Sequence, residues 1–189
     1  MDVWCAIRTY PKHAEELGNP IPQEPIFFLK SSSSVIGFGQ IESCDGDVHH
    51  EIELVQKLGQ DLRPVQMALG LDLTKRTVQD RLKAESLPWA QAKSFSGSAV
   101  IGGWVDYNPN AEYSLKINDK EVQRGSLAEM SWTPGELIDK LSVWAPIKEG
   151  DVLFTGTPAG VGPLMARDAI TASLYIDGEV IDVQSAVCV

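Results

Sequence analysis

The sequence has few cysteines and no pair of them at the CxxC spacing of a zinc or redox motif. Cys5, Cys44 and Cys188 are odd in number and far apart along the chain. Such a pattern is typical of thiols kept reduced in the cytosol, where disulfides rarely persist. We therefore expect three free cysteines and no disulfide framework.

Positive charge is also scarce. The 189 residues include 16 lysines and arginines against 26 acidic residues, which gives a formal net charge of −10. Nucleic acids and anionic membranes require a basic protein surface, so neither is an expected partner. A small anionic substrate remains compatible with this charge if a metal ion or local cations reverse the field at the site.

Long apolar runs are absent as well. No run approaches the length of a membrane span, and the first residues, MDVWCAIRTYPKH, do not resemble a signal peptide. The apolar share of 43% is nevertheless enough for a substantial core. We expect a cytoplasmic protein with one catalytic domain over residues 1–189.

Short strands joined by glycine and proline turns dominate the rest of the pattern. The strand-like segments are Val3–Ile7, Ile26–Lys30, Glu51–Leu54, Ala99–Val105, Ser114–Ile117, Val152–Thr155 and Ala172–Ile176. Two hairpin turns are predicted, at Asn118–Asp119 and at Asp177–Gly178, a dipeptide that favours a type I′ turn.

Helices are fewer. Thr133 is predicted to be the N-cap of the clearest helix, with an apolar stripe that includes Leu141 and Trp144. Shorter helices are predicted over Thr77–Ala84 and from His13 to Leu17. The balance indicates a β-rich α+β fold.

The segment HHEIEL contains two acidic residues that could form half of a metal site. In a strand, Glu51 and Glu53 project from one face while Ile52 and Leu54 are buried on the other. In a helix the two carboxylates would point roughly 200° apart and could not share a ligand. A solvated strand face is the commoner reason for such a pair, so this motif alone leaves both interpretations open.

Asp72 and Lys93 are charged residues in apolar surroundings. A carboxylate between Leu71 and Leu73 is costly unless it is paired, caps a helix or binds a metal. Lys93, in AKSF, could neutralise an oxyanion or simply extend to the surface. Three carboxylates would provide an all-oxygen site, which selects Mg²⁺, Mn²⁺ or Ca²⁺ over zinc.

The segment VLFTGTPAGVGP is a glycine-rich loop that follows a short apolar strand. Its backbone N–H groups and the hydroxyls of Thr155 and Thr157 could approach a substrate carboxylate. It lacks the spacing of a phosphate-binding loop, and an ordinary turn explains the loop equally well.

His13 and Glu16 are three residues apart, so one helical turn would bring their side chains together. A carboxylate beside an imidazole orients the ring and raises its basicity, which suits a general base. A surface pair with no function is the alternative.

Taken in order, these motifs resemble the fumarylacetoacetate hydrolase family. The matching segments are HHEIEL, DLTKR with VQD, PWAQAKSF, and GDVLFTGTPAGVGP. The resemblance extends from Arg8 to the final hairpin and is closest to the short members that act on acylpyruvates or oxaloacetate. It implies a mixed β-roll and a homodimer that uses Mg²⁺ or Mn²⁺, with Ca²⁺ as a substitute.

The resemblance also implies roles for individual residues. The metal ligands would be Glu51, Glu53 and Asp72. The substrate-binding residues would be Arg76, Gln79, Thr155 and Thr157. The catalytic residues would be Lys93, facing the developing oxyanion, and the dyad of His13 and Glu16, carried on a lid helix within residues 1–20.

The implied activity is cleavage of a carbon–carbon bond in a small 3-acylpyruvate through a metal-stabilised enolate. Decarboxylation or keto–enol tautomerisation of oxaloacetate uses the same intermediate and is the alternative. Thr77 stands where relatives have an aspartate after the arginine, which motivates a second alternative, a metal- or ligand-binding protein without catalysis. The presence of His13, Glu16 and Lys93 argues against that alternative.

Overall fold

A computed structural model describes residues 1–16, 18, 22–42 and 44–189. Its strands are β1 (Val3–Ile7), β2 (Ile26–Lys30), β3 (Val35–Ile36), β4 (Gln40–Ile41), β5 (Asp45–His50), β6 (Ile52–Leu58), β7 (Pro64–Asp72), β8 (Thr74–Lys75), β9 (Ala99–Ile101), β10 (Val105–Asp106), β11 (Ala111–Ile117), β12 (Lys120–Ser126), β13 (Val152–Phe154), β14 (Gly162–Met165), β15 (Ala169–Ile176) and β16 (Glu179–Cys188). Its α-helices are α1 (Pro11–Glu16), α2 (Arg76–Ala84), α3 (Ala90–Lys93) and α4 (Pro134–Ser142).

The strands form three sheets. The largest has the order β2-β1-β13-β6-β7-β9-β3, with β10 paired to β7. The second has the order β12-β11-β15-β16-β4, and the third is β14-β5-β8. Parallel pairs, such as β1 with β13, occur beside antiparallel ones. The predicted β-rich α+β class is confirmed.

The main core combines the two large sheets. Alternate residues of β6, among them Ile52 and Leu54, share one buried cluster with Tyr113 and Leu115 of β11. The helix α4 covers another part of the large sheet, where its buried side chains meet Trp4 of β1. Because strand side chains alternate between faces, the opposite face of β6 is left for the acidic residues described below.

Several boundaries differ from those predicted. Strand β6 begins at Ile52, so Glu51 lies at the junction between β5 and β6. The predicted strand Ala99–Val105 is divided into β9 and β10 by two glycines. A Cβ at the first of these, Gly102, would lie 2.8 Å from Gln184 Cγ, so the close approach of β16 explains why glycine stands there.

Both predicted hairpins are present. Asn118 and Asp119 have φ values of 50° and 64°, and Asp177 and Gly178 have 51° and 83°. Positive φ at both central residues is the signature of the type I′ turn, whose twist matches that of the flanking strands.

The predicted helix starts are close to those observed. Thr133 caps α4 with a complete capping box, and α2 starts one residue before its predicted start. Helix α1 begins at Pro11 rather than His13, and its predicted end at Leu17 lies outside the described residues. Trp144 does not continue the buried stripe of α4, because the helix ends two residues earlier and the indole is exposed against Trp4.

The expectation of three free cysteines is wrong for two of them. Cys44 and Cys188 form a disulfide across 144 residues, with their Cα atoms 5.6 Å apart. The pairing of β16 with β4 brings these distant segments together, which cysteine spacing does not reveal. Cys5 is a buried free thiol. No helix in the described ranges is long and apolar enough to cross a membrane.

Candidate active site

Strand register assembles three carboxylates. Strands β6 and β7 pair with Ile52 opposite Leu71, so Glu51 and Asp72 are neighbours, and Asp72 N donates to Glu51 O at 2.9 Å. Glu53 projects from the same face as Glu51, two residues along the strand. One oxygen from each carboxylate lies within 4.8 Å of the others, and all three residues are buried. Glu51 and Glu53 therefore do not form a solvated face.

This carboxylate cluster fits a hard divalent cation. Its donors are all carboxylate oxygens, the ligands that Mg²⁺ and Mn²⁺ prefer. Burial, followed by repulsion from Asp72 and Glu51, raises the pKa of Glu53 well above its ordinary value. A positive ion among the three oxygens would remove that repulsion, so the geometry is suited to holding a metal.

Lys93 is buried in contact with this cluster. Its Nζ lies 2.8 Å from Glu51 Oε2, 2.8 Å from Asp72 Oδ2 and 2.6 Å from Thr74 Oγ1. Burial disfavours its charged form, but Asp72 and Glu51 outweigh burial and raise the pKa of the ammonium. Lys93 does not extend to the surface, and it is held as a cation beside the carboxylate cluster.

Lys30, which sequence reasoning missed, supports Asp72 from the opposite side. Its Nζ forms an ion pair with Asp72 Oδ1 at 2.7 Å and donates to the carbonyl oxygens of Ser98, at 2.9 Å, and of Lys93. The ammonium is fully buried. The available signal was a lysine that ends the apolar strand IFFLK, since a charge in such a position needs a partner.

Arg76 begins α2 and is held by three side chains. It donates to Glu51 Oε1 and to Gln79 Oε1, each at 2.7 Å, and more weakly to His49 Nδ1 at 3.4 Å. Burial disfavours the charged form of Glu51, but Lys93 and Arg76 outweigh burial and lower its pKa to about 2.

Thr77 anchors the start of α2 through its backbone. Its backbone N–H donates to Asp47 Oδ1 at 2.7 Å, so a carboxylate from β5 satisfies the start of α2. This carboxylate comes from a strand that the sequence analysis did not identify.

The glycine-rich loop contacts one of the carboxylates, Glu53, through its backbone. Gly156 N donates to Glu53 Oε2 at 2.6 Å. The hydroxyl of Thr157 donates to Ile52 O at 2.8 Å and accepts from Gln123 Nε2 at 2.9 Å. Thr155 points away from the cleft, with its hydroxyl bonded to Leu54 O at 2.8 Å. Thr157 lines the cleft, whereas Thr155 supports the loop from behind.

His13 and Glu16 form the predicted contact. Nδ1 of His13 lies 3.2 Å from Glu16 Oε2 on one turn of α1. Glu16 also accepts from Gly160 N at 3.2 Å, which joins α1 to the glycine-rich loop. The imidazole is nearly buried and faces the cleft.

One cleft collects most of the residues predicted for the site. Those that line it are His13, Glu51, Glu53, Asp72, Arg76, Gln79, Lys93 and Thr157. Glu16 and Thr155 lie behind this lining. Lys83 and Trp89 also line the cleft, and sequence reasoning assigned neither of them a role.

Residues 2–186 match the family model described as fumarylacetoacetate (FAA) hydrolase C-terminal. The chain belongs to the fumarylacetoacetate hydrolase family. Its predicted family fold is confirmed, and the protein is an enzyme of this family.

Relatives in this family carry related names. Oxaloacetate tautomerase YcgM of Escherichia coli is 36% identical over 193 residues, which cover 90% of this chain and 87% of the relative. The mitochondrial oxaloacetate decarboxylase of Dictyostelium discoideum is 35% identical, and the aligned region covers 88% of this chain and 85% of the relative. A fumarylpyruvate hydrolase of Pseudomonas aeruginosa, crystallised with Mn²⁺ and pyruvate, superposes with a TM-score of 0.90 at 29% identity, covering 100% of this chain and 89% of that one.

Proposed function

We propose that the protein is a divalent-metal-dependent enzyme acting on a small anionic 2-keto acid, and that keto–enol tautomerisation of oxaloacetate is its best-supported reaction. The observation that carries the proposal is the buried cluster of Glu51, Glu53 and Asp72 with Lys93 bonded to two of its members. The names of the sequence relatives favour oxaloacetate among keto acids.

Charge balance supports an anionic substrate despite the acidity of the whole chain. Three cations, Lys30, Lys93 and Arg76, contact the carboxylate cluster and cancel its charge when all three acids are ionised. A bound divalent ion would therefore leave the site with a net positive charge, and in a buried site that field is poorly screened. The local field then attracts a keto acid that the molecular surface as a whole repels.

The residues of the cleft have separate tasks in this proposal. A bound Mg²⁺ or Mn²⁺ would act as a Lewis acid and stabilise negative charge on the substrate's oxygens. Ca²⁺ could bind to the same carboxylate oxygens in its place. Lys93 adds a fixed positive charge in a site with little water, where it counts for more than in bulk solvent. Arg76 and Gln79 orient the substrate's carboxylate.

The imidazole of His13 moves the proton. Tautomerisation moves a proton from C3 of the substrate to its keto oxygen. In this proposal the imidazole accepts the proton from C3 and then donates it to the enolate oxygen, which returns the ring to its starting state. Glu16 fixes the ring through Nδ1, which leaves Nε2 for the substrate. The bond between Glu16 and Gly160 keeps α1 over the cleft, in the position expected of a lid.

Hydrolysis of an acylpyruvate is the second candidate. The structural neighbour named a fumarylpyruvate hydrolase supports it, and His13 could equally activate water for attack on the far carbonyl of the substrate. Oxaloacetate decarboxylation needs the same charge stabilisation without that water. A binding-only role is disfavoured, because ligand binding alone requires no proton-transferring dyad.

We also propose that the protein is a homodimer. Strand β16 carries exposed apolar side chains, Val180, Ile181 and Val183, which a second copy could cover. Sedimentation equilibrium at micromolar concentration tests this proposal. A monomer at the concentrations at which the enzyme is active would contradict it.

Turnover measurements test the proposed activity. Oxaloacetate enolisation, oxaloacetate loss and acetylpyruvate cleavage are followed with Mg²⁺ or Mn²⁺ and again with chelator, each corrected for the rate without protein. We expect metal-dependent turnover, with enolisation of oxaloacetate the fastest. Cleavage of acetylpyruvate as the fastest reaction would instead support the second candidate.

Two variants locate the chemistry. Glu53→Ala removes a proposed metal ligand and should lower the metal-dependent turnover. His13→Ala removes the proton carrier, and we expect it to lower kcat by about 10²- to 10⁴-fold. Glu15→Ala, an exposed change on the same helix as His13, serves as the control and keeps wild-type rates. Unchanged turnover in both test variants would contradict the proposed site.

A further inference from the structure

Lys83 is a cation of the cleft that has no task in the chemistry described above. It lies on α2 with Arg76 and Gln79, at spacings of three and four residues, so the three side chains share one face of the helix. All three line the cleft. The Cα atom of Lys83 lies about 6 Å farther along the helix axis than that of Gln79, because each residue adds a rise of about 1.5 Å. It therefore lies beyond the residues that would hold the substrate's keto-acid end.

The ammonium of Lys83 is placed against an aromatic wall. Its Nζ lies 5.3 Å from the ring centre of Trp89, which also lines the cleft. An aromatic face supports a cation and holds the long side chain in one position. An ordinary surface lysine would instead extend its ammonium into water.

Lys83 has no anionic partner among the residues that the structure describes. It makes no hydrogen bond or ion pair with any residue that the structure describes, although Asp80 and Glu51 attract it from farther away. Burial and then repulsion from Arg76 lower its pKa. The charges of Arg76 and Lys93, by contrast, are each paired with a carboxylate. An anion bound beside Lys83 would supply the missing partner.

We propose that Lys83, supported by Trp89, binds a second carboxylate at the end of the substrate remote from the 2-keto acid, so that the enzyme selects keto diacids over keto acids with an uncharged tail. This inference rests on the proposed function, because it assumes that Arg76 and Gln79 hold the keto-acid end. Lysine suits the role because its ammonium is a compact charge on a flexible stem, which can meet carboxylates at different distances.

The inference narrows the substrate class for each candidate reaction. Oxaloacetate carries a second carboxylate, whereas acetylpyruvate ends in a methyl ketone. A hydrolase built on this site would likewise favour acylpyruvates whose acyl group ends in a carboxylate. In this proposal the residues around the carboxylate cluster determine the reaction type, and Lys83 determines which charge the tail of the substrate carries.

A matched pair of ligands tests the proposal without turnover. 2-Oxoglutarate and 2-oxopentanoate have the same number of carbons and differ in the charge of the far end. Their affinities for the Mn²⁺-loaded protein are measured by calorimetry. We expect the wild type to prefer the diacid by about 10- to 100-fold, the range of a charge-assisted hydrogen bond.

Three variants make the test specific. Lys83→Met keeps the stem against Trp89 but removes the charge, so it should abolish the preference while 2-oxopentanoate binds within about twofold of wild type. Lys83→Arg should retain most of the preference. Lys75→Met is the control, since Lys75 also lies over an aromatic ring, Phe95, but does not line the cleft.

Kinetics provide the second measurement. Lys83→Met should raise KM for oxaloacetate by about 10-fold or more with little change in kcat, and should leave KM for acetylpyruvate unchanged. The variant must unfold at the wild-type temperature for the comparison to hold. If it then affects both ligands equally, or neither of them, the role of Lys83 is overturned but the proposed function is not. Absence of metal-dependent binding by the wild type would overturn both the proposed function and this inference.

Discussion

At the residue scale, Lys30 shows how much of the site depends on a side chain that never reaches the cleft. Its ammonium holds one oxygen of Asp72, while Lys93 holds the other, and it also binds the backbone carbonyl of Lys93. Lys30 therefore positions both a proposed metal ligand and the proposed oxyanion-facing cation. A buried carboxylate held from two sides has little freedom to turn away from an incoming ion.

Replacing Lys30 should destabilise the fold. In Lys30→Met, Asp72 keeps its burial but loses one cation, and breaking a buried ion pair costs about 3–5 kcal/mol. Urea unfolding measures the loss. The exposed Lys120→Met is the control and should stay within about 0.5 kcal/mol of wild type. A similar small change for both variants would show that the buried pair contributes little.

The raised pKa of Glu53 predicts that metal binding depends on pH. Burial and its acidic neighbours, Asp72 and Glu51, raise its pKa, so this carboxyl keeps its proton to higher pH than a free glutamate. A metal ligand must be ionised, so binding should release a proton and affinity should increase as pH rises through the pKa of Glu53.

Calorimetry with Mn²⁺ in two buffers of different ionisation enthalpy measures this proton release. The observed heat should depend on the buffer in the wild type. In Glu53→Gln, which cannot release a proton at this position, the dependence should disappear together with most of the affinity. Identical heats in both buffers for the wild type would contradict a protonated Glu53 in the metal-free site.

At the element scale, the glycine-rich loop is shaped by where its backbone must run. Gly156 has a φ of +98°, and a Cβ there would lie 2.0 Å from Thr9 Oγ1. The same residue donates its N–H to Glu53. Glycine is therefore required for two reasons, the positive φ of the backbone and the lack of space beside Thr9.

Gly156→Ala should weaken metal binding. The loop must shift to admit the methyl group, which withdraws the N–H from Glu53, and loss of a bond that orients a ligand typically costs about 10- to 100-fold in metal affinity. Gly150→Ala is the matched control, because Gly150 also has positive φ but has open space around its Cβ. Titration with Mn²⁺ should separate the two variants, and equal affinities would contradict the proposed contribution of the loop.

The elements differed in how well the sequence predicted them. Strands β1 and β2 have their predicted bounds, since each is a short apolar run that ends at a turn or loop. Strand β7 was missed, because it is buried on both sides and its continuous apolar run shows no alternation. Strand β5, with the sequence DGDVHH, has almost no strand signal of its own and is held by pairing with β14 and β8.

At the scale of the whole molecule, the net charge of −10 means that metal cations can also bind weakly to surface carboxylates. A test of the proposed metal site must therefore separate specific binding from this surface binding. A ligand that binds only the folded state stabilises it by about 2.7 kcal/mol at 100 times its Kd. For a chain of this length we expect Mn²⁺ at that concentration to raise the unfolding temperature by about 5–10 °C, and chelator to reverse the increase.

Thermal unfolding of wild type and Glu53→Gln at the same Mn²⁺ concentration checks this expectation. The variant has lost a buried proposed ligand but keeps nearly all of the acidic surface, so its unfolding temperature should hardly respond to the ion. An equal increase in both proteins would show that Mn²⁺ stabilises the fold through scattered surface carboxylates instead.

The sequence alone determined the class of the fold, its hairpin turns, the clearest helix and the residue types available for chemistry. These features are local, because turn residues, capping boxes and alternation act over a few positions. Family motifs added the expected metal ligands Glu51, Glu53 and Asp72, which the structure brings together. Neither source revealed the pairing of Cys44 with Cys188.

Only the tertiary structure decided which charges meet. The register between β6 and β7 places Glu51 beside Asp72, and Lys30, at the end of β2, meets the same aspartate across 42 residues of the sequence. Whether a charged residue is solvated, paired or poised for a ligand depends on burial and on neighbours far away in the chain. For that reason lysine has three environments here: Lys30 supports Asp72, Lys93 contacts the carboxylate cluster, and Lys83 lines the cleft beside Trp89.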